Sequence, residues 1–150
     1  MTQESAGLDT GIQIIDSSYI KLSGRLNSLR AAIRNMVCRY TIDDAIAYLE
    51  EYAIVHFWQE EEYMKRFNYP AYHAHRKAHE HFFEELHFLR EELQNIRSAG
   101  LNGSYELSVE TVQLVTDWIS GHVRMDDKAL GTFLCQLKCV DHEVGALSLM

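Results

Sequence analysis

The sequence is poor in residues that interrupt helices. It has one proline, Pro70, and eight glycines among 150 residues, and long stretches contain neither. Proline and glycine mark turns, so their scarcity disfavours a turn-rich β-fold. The glycine-rich stretch at residues 98–104 stands out as a linker. The chain is therefore expected to form long helices within one domain.

Basic residues and long apolar runs are also scarce. The chain has 14 lysines and arginines against 22 acidic residues, which gives a net charge of −8. An acidic surface repels phosphate backbones, which argues against nucleic acid as a partner. No apolar run approaches the ~20 residues that a membrane-spanning helix needs, and no basic-then-apolar leader opens the sequence. These absences predict a cytoplasmic protein that binds neither nucleic acid nor membrane.

The three cysteines, Cys38, Cys135 and Cys139, suggest no disulfide framework. An odd number without paired spacing is typical of reduced thiols in a reducing compartment. We expect these residues to act as small, buried apolar side chains, since free cysteine commonly does so.

Four segments carry core residues at alternating steps of four and three. These stripes cover residues 15–40, 42–67, 75–96 and 112–133, and the last of them ends with Ala129 and Phe133. The spacing is typical of helices that pack at a shallow angle against their neighbours. With short connections it predicts an all-α fold, an up-down-up-down antiparallel four-helix bundle. The expected organisation is an N-terminal arm at 1–11, the bundle at 12–139 and a C-terminal tail at 140–150.

Several residues could mark the helix ends. Asp16 or Ser17 is a candidate cap for the first helix, and Thr41 for the second. Pro70 restricts the residue before it and suits the start of a helix, so residues 68–70 should separate the second and third helices.

Every stripe is interrupted by polar side chains that a bundle core seldom contains. They are Tyr19 in the first stripe, His56 and Glu60 in the second, His75 and His79 in the third, and His122 with Asp126 or Asp127 in the fourth. In an antiparallel bundle these positions fall in one layer. Burying such groups is costly unless they are paired or bound to metal. The pattern therefore predicts a metal site in the core.

The types of ligand narrow the metal. Imidazoles and carboxylates without thiolates suit iron, and also manganese or zinc. The set exceeds what one tetrahedral zinc takes, so two metals that share carboxylates use it better. His73, His81, His87 and His142 lie off this pattern and are expected at the surface or behind the ligands. A bundle without metal is the alternative interpretation.

These residues resemble the hemerythrin family, including its bacterial single-domain members. The matching stretches lie at residues 15–19, 56–61, 69–79 and 118–127, and together span roughly residues 11–130. The resemblance implies a core with two non-haem irons joined by an oxo or hydroxo bridge. The implied ligands are His75, His79 and His122 for one iron, His56 and Tyr19 for the other, and Glu60 and Asp127 as bridges.

Two positions leave alternatives open. Spacing on a regular helix favours Asp126, four residues after His122, whereas the family pattern has the aspartate five residues on, at Asp127. A step of five requires side-chain reach or a local bulge. The family normally has histidine where this chain has Tyr19. Tyr19 could ligate as phenolate, remain a protonated donor behind the ligands, or leave the second iron weakly bound.

The resemblance implies reversible O2 binding for storage or delivery. Leu22, Phe57, Trp118 and Ile119 are candidates for an apolar wall that keeps the site dry. The alternatives are a sensor of O2, NO or redox state that acts through a separate, unidentified protein partner, and a di-iron enzyme that breaks down peroxide or reduces NO.

Overall fold

The structure is a computed structural model that describes residues 8–140, and within them all side chains except those of residues 40 and 138–140. Residues 1–7 of the predicted arm, the predicted tail from residue 141 and His142 lie outside the described residues. No helix within residues 8–140 is long and apolar enough to span a membrane.

The described residues form helices and no strands, which confirms the predicted four-helix bundle. The first three helices are α1 (Gln13–Arg34), α2 (Cys38–Arg66) and α3 (Tyr72–Ser98). The fourth consists of α4 (Ser104–Trp118), a π-helical segment (Ile119–Asp127) and α5 (Lys128–Val140). Short connections at residues 35–37, 67–71 and 99–103 keep consecutive helices adjacent and antiparallel.

The predicted helix caps were wrong. Helix α1 begins at Gln13 and α2 at Cys38, so Asp16 and Thr41 both lie inside the first turns. The Asp16 carboxylate instead accepts hydrogen bonds from the backbone N–H groups of Thr10 and Gly11, at 3.0 and 3.2 Å. Asp16 therefore holds the chain that enters α1 rather than capping the helix.

Apolar clusters lie on both sides of the predicted polar layer. On one side is the main core, which draws on all four helices and includes Leu22, Leu49, Phe82 and Val115. On the other side is a smaller cluster of Ile12, Ile15, Met64, Leu130 and Leu134. The polar layer is thus enclosed by apolar side chains along the bundle axis.

The thiols that the structure describes are free. Cys38 is buried and Cys135 is partly buried, as expected of small apolar side chains. The Cys135 thiol donates a hydrogen bond to the backbone carbonyl of Thr10 at 2.9 Å. The Cys139 side chain lies outside the described part.

Candidate metal centre

Five buried side chains from three of the helices converge in the bundle core. One potential ligand atom from each lies within 4.8 Å of all the others; the five are Glu60, His75, His79, His122 and Asp127. None of them is more than 5% exposed. His56 joins this cluster through its Nε2 atom, which lies 2.7 Å from Oε1 of Glu60. The structure thus brings together six of the seven predicted site residues.

Glu60 lies between two sets of histidines. Its Oε1 atom faces His56, whereas its Oε2 atom lies 3.1 Å from Nε2 of both His75 and His79. The α-helical spacing of four residues places His56 and Glu60 on one face of α2, and His75 and His79 on one face of α3. The two carboxylate oxygens are therefore directed at different imidazole groups.

The π-helical segment determines which aspartate enters the cluster. In a π-helix, hydrogen bonds join residues five apart, so a step of five returns to the same face. His122 and Asp127 have this separation, and His122 Nε2 lies 3.0 Å from Asp127 Oδ1. The same Oδ1 atom lies 3.1 Å from Nε2 of His75. Asp127, which is 2% exposed, lies in the cluster, and Asp126 does not.

Asp126 has a different contact with the site. Its side chain is 48% exposed, and its Oδ2 atom lies 2.9 Å from Nδ1 of His122. A carboxylate on the far nitrogen of an imidazole fixes the ring and leaves the other nitrogen available to a metal. Asp126 is therefore placed to orient His122 toward the cluster.

The π-helical segment also shifts the apolar stripe of the fourth helix by one residue. The sequence pattern placed Ala129 and Phe133 on the core face. In the structure Ala129 is exposed and Phe133 is partly buried, whereas Leu130 and Leu134 are fully buried. That part of the predicted stripe was wrong, because the pattern assumed a regular α-helix throughout.

Tyr19 is buried on α1, with 2% of its surface exposed, and belongs to the main core. Its hydroxyl accepts a long hydrogen bond, 3.5 Å, from Nη2 of Arg124 in the π-helical segment. Arg124 was not identified from the sequence as a neighbour of the site. The π-helical turn that brings Asp127 to the cluster carries Arg124 to Tyr19.

Aromatic rings enclose the imidazoles. The Phe57 ring stacks on His79 with centroids 3.9 Å apart, and the Trp118 ring stacks on His122 at the same separation. Leu22 and Ile119, also expected near the site, are buried in the main core. His73, His81 and His87 are exposed, as the sequence pattern predicted.

The buried charges alter one another's protonation in the metal-free chain. Burial raises the pKa of Glu60, but the charge of His56 and the contacts with His75 and His79 hold it well below its usual range. Burial lowers the pKa of His75, yet Asp127 and Glu60 outweigh this effect and raise that pKa to about 10. Burial dominates at His79 and lowers its pKa. A bound cation would replace the proton that His75 carries near neutral pH.

The cluster has the properties of a metal site. Glu60 Oε1, His122 Nε2 and Asp127 Oδ1 are buried and make no well-formed hydrogen bond, although each lies within 3.1 Å of another polar atom of the cluster. Leaving a buried polar atom unsatisfied costs about 1–3 kcal/mol. A cation among these atoms would satisfy all three, and imidazole with carboxylate is a donor set that iron accepts. The residues present therefore fit iron.

The chain is similar to known proteins over most of its length. Residues 10–134 match the family model described as the hemerythrin HHE cation binding domain. Bacteriohemerythrin of Stenotrophomonas maltophilia is 30% identical over 122 residues, covering 81% of this chain and 74% of that protein. Bacteriohemerythrin of Pseudomonas aeruginosa is 32% identical over 120 residues, covering 80% and 72%.

Bacteriohemerythrin of Methylococcus capsulatus is 28% identical over 136 residues, covering 89% of this chain and 96% of that protein. No solved structure matched the chain. The matched range, residues 10–134, contains the positions of all six residues of the buried cluster and of Tyr19. The chain therefore belongs to the hemerythrin family of non-haem iron proteins.

Proposed function

We propose that this protein holds two non-haem irons joined by an oxo or hydroxo bridge, and binds O2 reversibly for storage or delivery. The position of Glu60 is the main support, because its two oxygens face different histidines, as a carboxylate shared by two metals requires. The family membership and the relatives named bacteriohemerythrin agree with this function.

Each residue of the site has a proposed role. One iron takes His75, His79 and His122, the other takes His56 and Tyr19, and Glu60 and Asp127 bridge the pair. Proximity supports the first group, since the rings of His75 and His79 lie 4.7 Å apart and those of His75 and His122 lie 4.5 Å apart. The second iron then has a single imidazole and room for an added ligand.

The iron pair would supply the electrons that reversible O2 binding needs. The protein's own contribution is a dry environment: Phe57 and Trp118 cover His79 and His122, and the cluster of Ile12, Met64 and Leu130 closes the opposite side. Exclusion of water and protons slows the irreversible oxidation of such a centre.

Tyr19 favours one alternative function. A phenolate in place of the usual imidazole would stabilise ferric iron and shorten the lifetime of the oxygenated protein. A short lifetime suits a di-iron enzyme that turns over peroxide or NO better than an O2 store. Turnover of peroxide or NO, measured before and after the substitution Tyr19→His, separates the two functions. An enzyme should lose turnover on this substitution, whereas an O2 store should show no turnover that depends on Tyr19.

Iron content tests the proposed centre directly. The purified, iron-loaded chain should hold two irons per chain after desalting, with the optical bands of an oxo-bridged ferric pair. His79→Ala removes a proposed ligand and should reduce the iron content, whereas His81→Ala alters an exposed histidine two residues away and should retain it. Equal iron content in both variants, or fewer than two irons in the parent chain, would contradict the proposal.

A cytoplasmic location remains a prediction. It agrees with the free thiols of Cys38 and Cys135, since such thiols persist in reducing compartments. Cell fractionation with an antibody to the native chain would test it.

A further inference from the structure

A pair of buried aromatic residues connects the two halves of the proposed site. The Tyr52 ring stacks on His56, with centroids 5.0 Å apart and planes inclined by 15°. The Trp118 ring stacks on His122, with centroids 3.9 Å apart and planes inclined by 16°. The Trp118 indole N–H donates a hydrogen bond to the Tyr52 hydroxyl at 3.2 Å.

This connection joins the ligands proposed for different irons. His56 belongs to one iron and His122 to the other, and 66 residues separate Tyr52 from Trp118 along the chain. Both aromatic residues are buried, at 7% and 8% exposure. A hydrogen bond between two buried groups fixes their relative position, because neither can exchange its partner for water.

Three of the four histidines of the site, His56 among them, make no hydrogen bond through the ring nitrogen that points away from the cluster. A metal-bound imidazole normally donates its other ring N–H to a carboxylate or carbonyl, which sets the ring's orientation. His122 has this support from Asp126. The Nδ1 atom of His56 is buried and has no hydrogen-bond partner, and the same holds for His75 and His79. His56 differs from these two in being the only imidazole proposed for its iron. The orientation of the His56 ring therefore depends on what it stacks against.

We infer that Tyr52 is a positioning residue for the iron at His56, and that Trp118 holds Tyr52 in place through its indole N–H. This inference rests on the proposed di-iron site. Tyr52 acts through the face of the His56 ring and touches no metal itself. Stacking on Tyr52 orients the His56 ring, which has no hydrogen bond at Nδ1 and is the only imidazole proposed for its iron.

The first arm of the test needs no iron. The chain has two tryptophans, Trp118, which is buried, and Trp58, which is 62% exposed, so the two indole N–H signals of the metal-free protein can be told apart by NMR. Tyr52→Phe removes the acceptor and should shift the Trp118 signal upfield and speed its hydrogen exchange about fivefold. The control Tyr48→Phe should leave the signal unchanged. No change on Tyr52→Phe would overturn the inferred hydrogen bond.

The second arm follows the release of iron from the loaded protein to a chelator. Tyr52→Leu removes the stacked ring and should accelerate the release of one iron about tenfold or more, with the other iron little affected. Tyr52→Phe keeps the ring on His56 and should restore most of the slow release. Equal acceleration of both irons, or none, would overturn the positioning role.

The outcomes separate this inference from the proposed function. If the parent chain loads fewer than two irons, the di-iron proposal fails, while the NMR arm still decides whether Tyr52 and Trp118 are joined. If two irons load and Tyr52→Leu releases both at the parental rates, the positioning role fails and the di-iron proposal stands.

Discussion

The charged residues of this core lie at positions where burying a charge is costly unless it is paired. Glu60 is fully buried, and an isolated carboxylate at that depth would take up a proton. Three histidines instead surround it and keep its pKa low. The carboxylate and imidazole charges of the cluster thus offset one another. Several of its polar atoms make no well-formed hydrogen bond and are available to a cation.

The adjacent residues Asp126 and Asp127 should differ sharply in their effect on iron binding. Asp127→Ala removes a proposed bridging ligand and should prevent the retention of two irons. Asp126→Ala removes only the hydrogen bond to His122 and should weaken iron binding about 10–100-fold, with full loading at saturating iron. Iron per chain after desalting, with and without chelator, measures both. Equal loss in the two variants would contradict the assignment.

The visible absorption spectrum of the ferric protein should show whether Tyr19 binds iron. As a phenolate ligand it should give the ferric protein a broad visible band from phenolate-to-iron charge transfer. Tyr19→Phe and Tyr19→His should both abolish this band, and Tyr19→His should also lengthen the lifetime of the oxygenated protein. A parent spectrum without the band, and unchanged by Tyr19→Phe, would show that Tyr19 is not a ligand.

Among the helical elements, the π-helical segment brings the site residues of the fourth helix onto the same face as its core residues. It adds one residue to a turn of the fourth helix. Val115 before the segment, Ile119 and His122 within it, and Leu130 and Leu134 after it therefore lie on the same face. Without the added residue, the stripe would continue through Asp126 instead of Asp127. π-Helical turns are rare and commonly occur at functional sites.

Deletion of Met125, which is 68% exposed within this segment, should be tolerated. It removes one residue from the expanded turn, so an ordinary α-helix would again place Asp127 and Leu130 on the core face. Deletion of Gln113 from the regular helix α4 is the control, and it rotates the following core residues away by about 100°. Thermal unfolding followed by circular dichroism should show a cooperative transition for the first deletion only. Similar loss of the cooperative transition in both deletions would contradict the proposed role of the added residue.

The sequence was sufficient to predict the four helices, because their stripes follow one period over most of their length. It also indicated which histidines converge, since His56, His75, His79 and His122 each replace an apolar residue on a stripe. Spacing alone favoured Asp126 over Asp127, which was wrong, because it assumed a regular α-helix and the π-helical turn interrupts that period. The sequence did not identify Tyr52, which stacks on His56, or Arg124, which contacts Tyr19. Tyrosine and arginine beside a helical stripe are common without any role at a site.

At the scale of the whole molecule, the bundle surrounds its polar layer with apolar clusters at both ends. Binding of metal to the folded chain and not to the unfolded chain should then stabilise the fold. Iron at about 100 times its dissociation constant contributes about 2.7 kcal/mol, which raises the Tm by roughly 5–10 °C for a chain of this size. His79→Ala should reduce this increase strongly, and His81→Ala should preserve it. An equal increase in both variants would place the iron elsewhere.

Stopped-flow mixing of the anaerobically reduced, iron-loaded protein with O2 tests reversible oxygen binding most directly. We predict a new absorption band on mixing, which disappears when O2 is removed and returns on a second exposure. Direct conversion to the oxidised protein, with no intermediate band and no recovery after O2 is removed, would contradict it.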